Sequence, residues 1–265
     1  MSKRHGPKPL FDRPNPRFER GRDGKRDHGK KPSAPAGNWL FGAHAVEAAL
    51  LAGKRTVHEV LLVGDATEFQ ARHPGVRVRA STKHELDKQF AGQVHQGIAA
   101  RVDGLPELTL EQVLETDPEL IVALDQVTDP HNLGAIMRSC AAFGVAAVLV
   151  TEHRSAHVSP VVAKAAAGAL ETVPLINVGN LAQALMKITD TMRMQVIGLA
   201  GEATEEIAAV KPGPVCLVLG SEGEGLRRLT RERCDMLVKI PMPGEMESLN
   251  VSVAGGVSLY ALSQR

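Results

Sequence analysis

Past residue 119 the chain alternates short, almost unbroken apolar runs with longer segments whose apolar residues recur at helical spacing. The runs are Leu120–Leu124, Val145–Val150, Val173–Ile176, Gln195–Leu199, Val215–Leu219 and Met236–Ile240. A strand that is apolar on both faces has no solvated side, so this rhythm predicts a mostly parallel sheet covered on both faces by helices. Residues 37–104 read differently. Leu40–Leu51 carries a helical stripe (Val46, Ala49, Leu50) stopped by Gly53, and Val57–Val63 reads as a buried strand. Val76–Ala80 alternates as a half-exposed strand does. Thr82–Phe90 is a short helix capped by Ser81 or Thr82, and His95–Val102 is a further strand. Together these predict a small α/β module, followed by a linker over 105–118 with one short helix, then an α/β domain over 119–265.

Charge separates a fourth region. The 265 residues carry a formal charge of +1, yet residues 1–36 hold eleven Lys/Arg against four acids, a net of +7, which leaves −6 for the rest. A tail this polar cannot bury enough surface to fold alone, and is predicted to be disordered. Its charge suits a polyanion, because phosphate contacts by Lys and Arg release counterions; a solubilising arm is the other reading. Aromatics make up 3% of the chain, too few for base stacking to be its main nucleic-acid device. No apolar run reaches membrane-spanning length, and no secretory segment follows Met1. Cys140, Cys216 and Cys234 are isolated and odd in number. They read as reduced thiols of a cytoplasmic protein, with no metal-ligand spacing among them.

In sheets of this class, ligands lie beyond the carboxyl ends of the strands, which draws attention to three post-strand segments. After Leu124 comes DQVTDPHNLGAIMRSCAAFG, where Asp129-Pro130 turns the chain, Asn132 is placed to cap a helix, and Arg138 follows six residues on. After Leu219 comes GSEGEGLRR, with Glu222 set among Gly220, Gly223 and Gly225. That glycine spacing is wrong for a dinucleotide fingerprint, which counts against a nicotinamide oxidoreductase, and no Gly-Lys-Ser/Thr follows to make a phosphate-gripping loop. After Ile240, Pro241, Pro243 and Gly244 break the chain before a helix rich in small residues. Ser248 and Asn250 sit at that loop–helix junction, and Ala254, Gly255 and Gly256 leave room for another backbone to pass. Taken singly, each segment is equally an ordinary turn or cap.

Taken together, in this order, DPHNLGAIMRS, LVLGSEGEGLRR and IPMPGEMESLNVSVAGGVSLY resemble the three signature motifs of the SpoU (TrmH-type) RNA 2′-O-ribose methyltransferases. NWLFGAHAVEAAL and VHQGIAA resemble that family's small RNA-binding domain. RSAHVSPVVAKAAAGALETVPL is similar to members that methylate a guanosine in the peptidyl-transferase P-site loop of 23S ribosomal RNA. The resemblance implies a trefoil-knotted (SPOUT) α/β methyltransferase domain, a homodimer with its active site at the subunit interface, and S-adenosyl-L-methionine as cofactor without a metal. It places Gly220, Ile240, Met242, Ser248 and Leu249 on the cofactor. It assigns Arg138 to the proton-transfer step, with Asn132, Glu222, Ser248 and Asn250 around it. The implied partner is 23S rRNA or its assembly intermediate. A transfer-RNA methyltransferase, or an inactive RNA-binding or ribosome-assembly protein, is the alternative.

Overall fold

The computed structural model describes residues 38–151 and 159–265. The basic tail, and the Arg154–Val158 part of the segment resembling P-site methyltransferases, lie outside the described residues. In chain order the elements are β1 (Asn38–Phe41), α1 (Ala43–Ala52), β2 (Val57–Leu62), α2 (Ala66–Arg72), β3 (Val78–Ala80), α3 (Lys83–Gln89) and β4 (Ile98–Val102). Then follow α4 (Leu110–Leu114), β5 (Leu120–Asp125), α5 (Pro130–Ala142), β6 (Ala147–Thr151), α6 (Pro160–Ala165), β7 (Leu175–Val178), α7 (Leu181–Met192) and β8 (Gln195–Leu199). The last are β9 (Glu205–Glu206), β10 (Val215–Gly220), α8 (Arg228–Arg231), β11 (Met236–Lys239) and α9 (Val251–Ser263).

The first four strands form a sheet in the order β1-β4-β2-β3, antiparallel except for the β2/β3 pair. The helix expected from Leu40 begins at Ala43 instead. Asn38–Phe41 extends along β4, and Gly42, at φ 92°, turns the chain into α1. Gly53 ends α1 in the left-handed region as the sequence predicts. Thr82 caps α3 through a reciprocal bond with Glu85.

The other seven strands form one sheet in the order β7-β6-β5-β10-β8-β11-β9, and every pairing is parallel. Side-chain alternation divides its faces. Val122, Leu124, Val148, Val150, Leu217 and Leu219 join α5, α6 and α9 in one core. Ile121, Ala123, Leu149, Val196, Cys216 and Val218 join α4 and α7 in another. The short helix expected within 105–118 is α4, closed by a Thr109/Gln112 capping box, with Leu110, Val113 and Leu114 buried. At α5 the cap is Asp129, whose carboxylate accepts from His131 N, so Asn132 is not the cap but lies inside the first turn, buried. Side chains, not a passing backbone, fill the space beside the α9 glycines. A Cβ on Gly255 would lie 2.9 Å from Leu219 Cδ1, and one on Gly256 would lie 3.3 Å from Ser139 Oγ. Among the described residues, no helix is long and apolar enough to cross a membrane.

Candidate active site

Three loops leave the carboxyl ends of β5, β10 and β11 and meet. The β10 loop is a tight hairpin in which Ser221 and Gly225 exchange backbone hydrogen bonds at 3.1 Å. Gly223 (φ 86°) and Gly225 (φ 66°) supply the left-handed turns this needs. A Cβ on Gly220 would stand 2.3 Å from the Gly225 carbonyl carbon, so only glycine lets the loop fold back on its own strand. The hairpin presents Glu222. The β11 loop ends at Asn250, which caps α9 by accepting from Ser252 N at 2.9 Å.

Asn132 from the first turn of α5, Glu222 from the β10 loop and Asn250 from the end of the β11 loop form a closed hydrogen-bonded triangle. Asn250 Nδ2 donates to Asn132 Oδ1 at 3.0 Å and to Glu222 Oε1 at 2.6 Å, and Asn132 Nδ2 donates to Glu222 Oε1 at 3.1 Å. Because Ser252 N–H fixes Asn250 Oδ1, both Asn250 amide protons point into the triangle. Glu222 Oε1 accepts twice, while Oε2 has no partner among the described residues.

Beside the triangle lies a cavity of about 790 Å³, lined by residues of the β8, β10 and β11 loops. Leu199, Leu219, Ile240, Met242, Leu249 and Val251 give it apolar walls. Four carboxylates line it (Glu202, Glu222, Glu224, Glu247) against two cations, Arg231 and Lys239, and Arg231 is already paired with Glu202.

Of the residues singled out in the sequence, Gly220, Ile240, Met242, Ser248 and Leu249 line this cavity together with Glu222 and Asn250. Ser248 forms no hydrogen bond with the described residues. Arg138 does not line the cavity of its own chain. Six residues beyond Asn132 on α5, it is turned away from the triangle, exposed, and without an ion pair among the described residues. Two features escaped the sequence reading. The wall from Leu199 to Glu202 lies at the end of β8, where Ala200 and Gly201 carry no chemical signal of their own. Asp125, fully buried at the end of β5, accepts from Arg227 N at 2.9 Å and Arg227 Nε at 2.6 Å. The cysteines stay out of the chemistry, since burial pushes the Cys140 and Cys234 thiols up to about 12 and raises Cys216 as well.

The SpoU rRNA Methylase family matches residues 119–260, and the domain described as RNA 2'-O ribose methyltransferase substrate binding matches residues 39–108. The 23S rRNA (guanosine-2'-O-)-methyltransferase RlmB of Xanthomonas campestris is 46% identical over 242 residues, covering 86% of this chain and 96% of its own. RlmB of Haemophilus influenzae is 43% identical over 236 residues, covering 84% and 96%. The crystal structure of the SpoU methyltransferase AviRb from Streptomyces viridochromogenes in complex with AdoMet has a TM-score of 0.72 at 23% identity, over 85% of this chain and 89% of its own. The last likeness is one of fold. With a family match over more than half its length, and relatives above 40% identity across more than four-fifths of it, the chain belongs to the SpoU rRNA methylase family.

Proposed function

We propose that the protein transfers a methyl group from S-adenosyl-L-methionine to the ribose 2′-hydroxyl of a guanosine in 23S ribosomal RNA, in the cytoplasm. The observation that carries this reading is the Asn132–Glu222–Asn250 triangle at the edge of the cavity. The cavity fits the donor on its own terms. Its volume falls within the range of about 300–1,000 Å³ usual for small-molecule sites, and apolar walls with backbone groups suit a purine. Its excess of carboxylates suits a ligand carrying both a sulfonium and an ammonium. Gly220, Ile240, Met242, Ser248 and Leu249 would hold it, and when bound it supplies a methyl group already activated on a sulfonium.

The chain's task is then to place and activate the hydroxyl. Glu222 Oε2, free while Oε1 is held by two amides, orients the 2′-hydroxyl by accepting its hydrogen bond. Asn132 and Asn250 hold that carboxylate still, and Ser248 adds a hydroxyl at the cavity wall. Arg138 carries a guanidinium, which offers donors only and has no lone pair with which to take a proton. Its work is electrostatic: it grips the adjacent phosphate and stabilises the ribose oxygen while the hydroxyl proton passes to that phosphate or to water.

Arg138 reaches a cavity in a homodimer. It stands on the exposed side of α5 beside Ser139, which packs on Gly256 of α9. Along α9, Val253, Val257 and Tyr260 form an exposed apolar stripe at helical spacing, 50%, 40% and 57% accessible. Covering that stripe with a second copy brings Arg138 of one subunit toward the cavity of the other. Mixing inactive Arg138→Ala and Asn132→Ala chains tests this, because a mixed dimer retains one intact site and recovers part of the turnover. Mixtures as dead as either parent would refute a shared site. The reaction itself is tested by mapping 2′-O-methylguanosine in 23S rRNA, the P-site loop being the expected position, and by assaying transfer RNA in parallel. Methylation of transfer RNA alone would overturn the substrate, and no rise in melting temperature with S-adenosyl-L-methionine would overturn the donor.

A further inference from the structure

Beside the donor cavity is a second one of about 400 Å³, lined by Thr151, Asn180, Arg227, Arg228 and Thr230 among others. It sits at the carboxyl ends of β6 and β7, on the far side of the hairpin that carries Glu222. Arg227 is set for a ligand here. Asp125, wholly buried, takes its backbone N–H and its Nε–H, which fixes the plane of the guanidinium. The two terminal nitrogens have no partner among the described residues, and 44% of the side chain is accessible. A guanidinium locked from behind, with two parallel donors forward, matches two oxygens of a phosphate. Arg228 lines the same cavity and, among the described residues, is held only by an exposed pair with Glu232 four residues on, a contact easily exchanged. The first-turn residues Leu181 and Ala182 of α7 also line it, adding the positive end of a twelve-residue helix.

We infer that Arg227 and Arg228 bind one backbone phosphate of the substrate RNA, close to the methylated nucleotide, and so set which ribose enters the site. This rests on the RNA-methylating reading above. Asp125 is the positioning residue behind the contact, and Glu222 and Arg227, five residues apart on one loop, link register to chemistry.

The test uses the full-length protein and a 23S rRNA fragment that the wild type methylates. Arg227→Gln should raise KM about tenfold while changing kcat far less, and should lower the salt dependence of binding (log Kd against log salt) by about 0.7 to 1. Neutral methylphosphonates placed one at a time along the fragment should weaken the wild type at one position, and Arg227→Gln should be indifferent there. A variant with wild-type KM and slope, or one still sensitive at that position, overturns the inference. Should Arg227→Gln melt early because Asp125 is left short of a donor, Arg228→Gln, which leaves Asp125 untouched, is judged by the same criteria. If the wild type neither binds nor methylates 23S fragments, the proposed function fails and the phosphate site falls with it. If the wild type is active and both variants match it, the phosphate site alone falls.

Discussion

Asn250 has two structural duties that a single substitution confounds. Its Oδ1 caps α9, and its Nδ2 donates both protons into the triangle with Asn132 and Glu222. Asn250→Ala removes both, so it should lose the cap, about 1 kcal/mol, lowering the melting temperature by roughly 2–4 °C, and should also lose methyl transfer. Asn250→Asp separates the duties: a carboxylate still caps but donates nothing, and it adds a charge against Glu222. Its melting temperature should stay nearer the wild type than that of Asn250→Ala, while turnover stays low. Recovery of turnover along with stability would reduce Asn250 to a cap. Arg138→Ala should cost about 10²–10³ in turnover with the melting temperature and donor affinity unchanged, measured on purified protein by methyl incorporation and calorimetry. The identity of each of these residues is visible in the sequence, but their geometry is not. Asn132 and Asn250 are 118 positions apart, and nothing local distinguishes Asn132 as a buried first-turn donor from the helix cap its neighbours imply.

At the scale of elements, the apolar runs foretell six of the seven strands of the large sheet, because each must be hydrophobic on both faces. The seventh, β9, is two exposed glutamates paired with β11, and its sequence carries no period at all. β1 is hidden for another reason: Leu40 and Phe41 continue the apolar pattern of α1, and only pairing with β4 divides strand from helix at Gly42. Helix packing is likewise a matter of contact rather than pattern. Gly134 on α5 lies where a Cβ would stand 2.3 Å from Ala165 Cβ and 3.0 Å from the Ala165 carbonyl carbon and Ala166 N, so the obstacle includes backbone. Gly134→Ala raises helix propensity, a gain of up to about 1 kcal/mol, but overpacking of this kind costs about 1–3 kcal/mol, and an obstacle that includes backbone lies at the upper end. The variant should melt lower by up to about 8 °C in a thermal scan, and a variant melting above the wild type would show that α5 and α6 separate freely.

In the molecule as a whole, the two sheets share one hydrophobic core and a buried ion pair. Leu40, Val46 and Ala49 of the small sheet and α1 pack in the same cluster as Ala169, Leu170 and Val173. Across that contact Arg55 grips both carboxylate oxygens of Glu171, with side chains 7% and 2% exposed, and Lys54 donates to Thr172 O. The pair joins a residue matched by the substrate-binding domain to one matched by the methylase family. Neither residue stands out in the sequence, where 116 positions separate them. Glu171→Ala would strand a buried guanidinium, at a cost of about 3–5 kcal/mol, or roughly 6–20 °C in melting temperature. Arg55→Met combined with Glu171→Leu should recover much of that stability, since a buried pair replaced by apolar groups of similar volume is close to neutral. If the pair also sets the angle between the parts, the double variant should remain well folded and bind the donor normally, yet methylate the RNA more slowly at equal occupancy. Equal turnover in the double variant would assign the pair to stability alone.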